Sequence, residues 1–530
     1  MKSYIYMCSL MAACGSVQAQ VADTTLTQSL TIERAYSPVI KEATKIDRMP
    51  AEKEITVTRQ PVTYADKRSE SLSPTQIKHM PAGQVVVSRN TAENGYLSLS
   101  AGNYWNADLR AGVRKDSLAV DVDGFFTYGS LRVPYPNNEG HKMKWDSKLL
   151  RGNIKATYGF ELNNGDKLLT AAKVGGNAAN MFNFEHKYSD HGEHRLNAIT
   201  LGDPYNQRWG QIQIGANYVN ERFNVKLGYE HVGVKFPDVS DNIIELEGNV
   251  HIYDDEQWIV SASLHTDLTF GEETYFAIKP EVQASYMPDP DSWRCLYAKL
   301  GAGSRHENRY KLMNRMPILY ADDYKNSGDI FDLTLGWEDS ENGMFRYGAS
   351  VNLRYTEDEI SAVSEFTNKV ENHGSEQRVT AIGLMGHLVS DDCFSALIEA
   401  HAIYELNRFF GAKAEIKYLA ESCNYRGFGD PHFMTNLHLL GTYGKWKGDL
   451  GFEGGFDREM KFLYPDNASG GVDKIKLESI ANLNLRADYQ HTQNLSFSAW
   501  INNILNHKAE LWAFVPAQGI NVHVGFNWKF

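Results

Sequence analysis

Long apolar runs and cysteine are both scarce in this chain of 530 residues. Past the first 20 residues no stretch of 18 or more apolar residues occurs, which excludes membrane-spanning helices. Of the 5 cysteines, Cys8 and Cys14 fall in an apolar leader, leaving Cys295, Cys393 and Cys423. Their spacings, 98 (393 minus 295) and 30 (423 minus 393), match no zinc pattern. A disulfide is compatible with an oxidising compartment, but spacing does not name the pair. Basic clustering is missing as well: the net charge is -13, and a nucleic-acid footprint would need a basic face. The chain has no Gly-rich phosphate loop, no G-x-S-x-G elbow and no H-E-x-x-H pair. We therefore expect no enzyme, no cofactor, no resident metal and no nucleic-acid partner.

What is abundant is aromatic surface, with 28 Tyr, 24 Phe and 10 Trp, too much for a disordered chain. Polar on average, aromatic-rich and lacking long apolar runs is the composition of a transmembrane β-barrel, and also of a large soluble β-protein.

The leader separates compartments. Lys2 precedes an apolar stretch from Tyr4 to Ala13, and Val17-Gln18-Ala19 is a small-x-small cleavage site. Residues 1–19 read as a signal peptide, with Gln20 starting the mature chain. A rival reading takes Leu10-Met11-Ala12-Ala13-Cys14 as a lipoprotein box, although Met11 fits its pattern poorly. Either leader exports the protein.

Residues 20–93 form an arm. Pro38, Pro50, Pro61, Pro74 and Pro81 break it, it has Tyr36 and Tyr64 but no Phe or Trp, and no long amphipathic period appears. From Gly95 the chain alternates with period two to its last residue. Phe223, Val225, Leu227 and Tyr229 share one face, and Asn224, Lys226, Gly228 and Glu230 the other. Ile212, Ile214, Ala216 and Tyr218 oppose Gln211, Gln213, Gly215 and Asn217. Ile520, Val522, Val524, Phe526, Trp528 and Phe530 close the chain in the same way.

Short turns are expected at Asn164-Gly165, Asp254-Asp255, Asn342-Gly343 and Asp391-Asp392. Long polar connections are expected at 175–193, 305–328, 357–377 and 459–473. Short turns at one end and long loops at the other are the barrel habit, as are aromatics near strand ends, such as Trp209, Trp258, Trp446 and Trp528. The polar face is too charged for a sandwich core. We expect an all-β fold, a transmembrane antiparallel β-barrel spanning 94–530 with roughly 18 to 22 strands, nearer the upper end, preceded by the extended arm.

Within that fold Gln213, Asn217, Lys226, Glu230 and Arg486 are candidate lumen-lining residues. His186, His191 and His194 with Glu185 and Glu193 read as a surface loop, as do Asp322, Asp323 and Asp329. His265 near Asp267 and His401 near Glu399 read as polar wall. The arm either threads into the lumen as a minimal plug or docks a periplasmic protein.

A resemblance joins the two ends. Phe526, Trp528 and Phe530 on the apolar face of the last strand resemble the C-terminal insertion signal read by the barrel-assembly machinery. Asn502-Asn503-Ile504-Leu505-Asn506, followed by Val515-Pro516-Ala517-Gln518-Gly519, looks like the last hairpin of TonB-dependent receptors. Glu33-Arg34-Ala35-Tyr36-Ser37-Pro38-Val39, continuing to Ala43-Thr44-Lys45-Ile46, resembles a leader of Bacteroidota barrels of that type, and Gly102-Asn103-Tyr104 is similar to their first strands. The likeness is specific at the termini and a matter of pattern between them. It implies a Gram-negative outer-membrane location, with lipid around the barrel, and a channel or transporter-like role for polar solutes. The 74 residues of the arm (20 to 93) are too few for that family's plug domain, and no energy-coupling box stands near Gln20. A barrel that anchors a cell-envelope complex is the alternative.

Overall fold

Alternation of this kind lets a sheet close on itself, with one face apolar and the other polar, and that is the fold observed. The structure is a computed structural model that describes residues 94–134, 142–162, 165–180, 182–185, 206–220, 222–235, 238–255, 257–271, 274–288, 294–320, 327–341, 344–373, 376–406, 409–424, 428–463, 472–513 and 515–530. The expectations for the leader, the arm, His186, His191, Glu193, His194, Asp322 and Asp323 lie outside these residues.

Twenty antiparallel strands form a closed barrel. The first, Gly95–Gly102, pairs with the second, Ala107–Lys115, and also with the last, Asn521–Lys529, in register from Tyr96 opposite Lys529 to Gly102 opposite His523. Gly95 and Phe530 exchange backbone hydrogen bonds of 2.9 and 3.0 Å at the seam. Closure leaves no unpaired edge among the wall strands. Twenty lies at the centre of the expected range rather than its upper end.

The usual burial rule is inverted. Leu227 is 55% exposed and Ile214 57%, while Glu230 is only 2% exposed on the opposite face. A sheet with bare aliphatics outside and charges inside is at its free-energy minimum in lipid. Trp258, Trp446 and Trp528 are exposed on the outer surface as expected, but Trp209 is buried and faces inward. On the outside, Gly124, Gly152, Gly176, Gly210 and Gly233 are successive register partners on five adjacent strands, leaving a band without side chains.

The two ends of the barrel differ. Both termini of the sheet lie at the end where tight turns join the strands, among them Asp116-Ser117 and Gly444-Lys445. The Asp254-Asp255 turn forms as expected: Asp255 accepts from the backbone N–H of Gln257 and Trp258 at 2.8 and 2.6 Å.

At the opposite end four expectations fail in whole or in part. Asp391 and Asp392 lie inside the strand Glu376–Glu405, and 357–373 belongs to its partner Phe345–His373, so neither a turn at 391–392 nor a loop at 357–377 exists. Residues 175–180 likewise continue the strand Lys167–Asn180, and 459–463 continue Trp446–Leu463. The common cause is that a strand leaving the lipid is wetted on both faces, so its polar alternation vanishes while its backbone ladder continues. The 305–328 connection does form, and carries the one helix among the described residues, α1 (Arg309–Arg315).

Candidate functional site: the lumen wall and the sheet across its mouth

Alternation places Gln213, Asn217, Lys226, Glu230 and Arg486 on the face opposite the apolar belt. The first four come together on two neighbouring strands, with Gln213 in register with Glu230 and Asn217 with Lys226. Gln213 Nε2 donates to Glu230 Oε2 at 2.8 Å. Lys226 Nζ lies 3.3 Å from Glu247 and 3.6 Å from Glu245. Arg486 sits apart, on the strand Ile480–Gln490. There it grips Asp488 through two 2.8 Å hydrogen bonds and stacks over Trp500, whose ring lies against His523 at 4.9 Å.

The same pairing extends round the wall, to residues the sequence singles out, such as His265 and Asp267, and to others it does not, such as Lys279 and Lys417. Lys279, 2% exposed, contacts Asp329 and Asp332 at 2.8 Å each, and Lys417 bridges Glu399 and Glu415. His265 meets Asp267 at 3.1 Å, and His438 meets Asp449 at 3.0 Å. The available signal was opposite charges two residues apart on one strand, as in Glu415 and Lys417. Aromatic rings lie flat over inner glycines, Tyr96 over Gly112 and Tyr297 over Gly336, where a Cβ would collide with them. Charge compensation and flat rings leave a wall that is polar without a strong field of one sign.

The mouth opposite the tight turns is covered. Asn308 caps α1, its Oδ1 accepting from Tyr310 N at 2.8 Å. The helix buries Tyr310, Leu312 and Met313. Asn314 binds it to the wall, its side-chain oxygen accepting from Trp209 Nε1 at 3.0 Å and Asn177 Nδ2 at 3.2 Å. Arg309 faces Asp241 at 3.4 Å. Trp209 was read as an interfacial ring; its indole is instead an anchor for this loop.

A long hairpin lies over the helix. Strands Phe345–His373 and Glu376–Glu405 leave the wall at a register shift between Thr356 and Glu359, where Asp358 adopts a φ of 54°. Past the shift the hairpin takes new partners on both edges. Ser364 and Glu365 pair in parallel with Phe462 and Leu463 of the seventeenth wall strand. Residues 381–384 pair with 182–185, which follow the fifth wall strand, and Gly386 and His387 pair with Leu319 and Tyr320. The fifth and seventeenth wall strands, Lys167–Asn180 and Trp446–Leu463, are eight steps apart one way and twelve the other, so the paired segments cross the mouth. Beneath them Ile360, Ala362, Met316, Leu319, Phe428 and Met460 share one apolar cluster.

Charges hold the bend. Arg305, at the end of strand Cys295–Arg305, pairs with Glu359, Glu307 and Asp329, and Arg354 also meets Glu359. This bend stands beyond Phe394, an exposed ring of the strand Glu376–Glu405. Burial alone would raise the Glu359 carboxyl, but Arg305 and Arg354 outweigh it and hold it below its ordinary range. Two more connections join the cover. Phe428 and Asp430, from 422–430, clasp Arg315 of α1, with the guanidinium carbon 3.9 Å from the ring centroid. Arg458, 1% exposed, donates to the carbonyls of Gly429, Glu478, Glu510 and Leu511. Cys393 and Cys423 form a disulfide, and Cys295 is a buried cysteine outside it.

The Asn502–Asn506 stretch also acquires a physical role. Asn503 and Asn506 both have φ of 52°, which asparagine tolerates. The Asn503 amide ties His507 to Gln518 across the final connection.

No protein-family model and no curated protein sequence matches the chain. Solved structures do. The copper transporter OprC aligns with a TM-score of 0.52 at 14% identity, over 82% of this chain and 80% of that one. The FrpB iron transporter from Neisseria meningitidis aligns at 0.52 and 11%, over 85% and 83%. The pyoverdine outer membrane receptor FpvA from Pseudomonas aeruginosa PAO1 aligns at 0.51 and 11%, over 83% and 78%. At such identities the likeness is one of fold, and the chain has the barrel architecture of outer-membrane receptors and transporters.

Proposed function

We propose that this chain is a Gram-negative outer-membrane barrel, exported by residues 1–19, that passes polar solutes through a lumen whose outer mouth is gated by the hairpin beyond Thr356. The covered mouth above a polar, charge-compensated wall carries this reading. In this reading the short turns lie at the periplasmic end, as is usual for outer-membrane barrels, and the hairpin lies on the cell surface. The fold neighbours are a copper transporter, an iron transporter and a pyoverdine receptor, and they support a transporter-like role; the ends resemble TonB-dependent receptors, and no step of catalysis is assigned. Residues 20–93 act at the periplasmic side, as a minimal plug or a docking arm. Gln213, Asn217, Lys226, Glu230 and Arg486 line the path, and Phe526, Trp528 and Phe530 serve insertion.

Solute flux into liposomes bearing the mature chain, beside a form lacking residues 20–93, tests the reading. Flux that rises on truncation makes the arm a plug; equal flux in both assigns the arm to the periplasm. The apolar sealing under the hairpin favours a second reading, an anchoring barrel. Absence of flux from both forms, with the cover released, would establish that reading and remove transport.

A further inference from the structure

Cys393 and Cys423 sit where the cover is hinged. Cys393 is the register partner of Thr356, the last pair before the shift at which the hairpin leaves the wall. It is buried on the inner side, whereas Cys423 is only half-buried. Cys423 lies just past the end of the strand Phe410–Glu421. Asn424, next in the chain, donates through its backbone and side-chain nitrogens to Asp391, which pairs with Glu359 across the bend. The opposite edge of the bend is held by charge and hydrogen bonds alone: Arg305 to Glu359, Thr356 to Asp329 at 2.8 Å, and Ser327 to the carbonyl of Asp358 at 3.0 Å. One edge is therefore covalent and the other not.

We propose that the Cys393–Cys423 disulfide is a redox-sensitive latch that holds the cover shut through Asn424 and Asp391. A dithiol reductant would open it. One thiolate attacks the more accessible Cys423 sulfur and Cys393 leaves; the reductant's second thiol then displaces Cys423. The reductant ends as its own disulfide, and two electrons and two protons reside on two cysteine thiols. Asn424 then keeps its place on Asp391 only by hydrogen bonds, and the bend loses a fixed neighbour.

The latch rests on the gating reading only for its consequence, so the test follows the cover itself. Amide hydrogen exchange would be measured on the full mature chain in nanodiscs, with and without dithiothreitol. Reduction is expected to raise exchange of 359–391 by about tenfold or more while leaving 206–234 unchanged, since local opening is read by exchange. The Cys393→Ser/Cys423→Ser double variant should show the raised exchange without reductant and no further response. Unchanged exchange on reduction overturns the latch, and the wild-type arm alone decides it if the variant does not fold. If exchange rises without any change in flux, the latch stands and the gating reading fails.

Discussion

Arg305 is joined to Glu359 by an ion pair across 54 residues of chain, linking the rim of the barrel wall to the bend of the hairpin that covers its mouth. Glu359→Gln leaves Arg305 with Glu307 and Asp329, so the loss is confined to the bend and should cost about 1 to 3 kcal/mol of local stability. Hydrogen exchange of 359–391 should quicken while the heat-induced gel shift of the barrel stays at its wild-type temperature. A fall in the barrel's own melting temperature would place the pair in the wall instead.

The same carboxyl sets a pH dependence. Its folded pKa lies below the ordinary 4.5, because Arg305 and Arg354 outweigh burial and the repulsion of Asp329. A group with a depressed folded pKa contributes stability that is full above its unfolded value and lost as pH falls through the folded one. The cover should hold unchanged from neutral pH to about 4.5 and loosen below it. Exchange or flux followed from pH 7 to pH 3 checks this, and Glu359→Gln should remove the step.

Arg458 answers four backbone carbonyls with one guanidinium. Arg458→Met fills similar volume but orphans those acceptors, at about 1 to 3 kcal/mol for each that stays buried. The 428–430 and 510–512 segments should detach together. Trp512, 3% exposed, reports it, since its fluorescence should shift to the red with the barrel intact.

Glycines on the two faces should respond oppositely. Nothing lies within 4 Å of a Cβ at Gly176 on the outer band, whereas one at Gly336 meets the Tyr297 ring. Gly176→Ala should be neutral or stabilising by up to about 1 kcal/mol, and Gly336→Ala destabilising by about 1 to 3 kcal/mol. Thermal unfolding in detergent separates them.

Much of the wall was legible because lipid enforces alternation: the faces of 223–230 and 520–530 follow directly from the sequence, and so does the inward set from Gln213 to Arg486. The cover was not. Asp391-Asp392 carries a turn signal, yet sits mid-strand, because outside the lipid neither face demands apolar residues and only a pairing partner elsewhere in the chain, Glu359 opposite Asp391, fixes the conformation. Trp209 misled for the same reason. Its type suits an interface, and only the arrival of Asn314, 105 residues later, explains its burial. The disulfide pair was invisible to spacing, since a barrel hairpin, not the interval of 30, brings Cys393 to Cys423.

Planar-bilayer conductance tests the gate most directly. In a background lacking residues 20–93, the intact barrel would be compared with one in which residues 358–392 are replaced by a two-residue turn. A gated lumen predicts low or intermittent current for the first and steady, large conductance for the second. Equal conductance from both would contradict the gate.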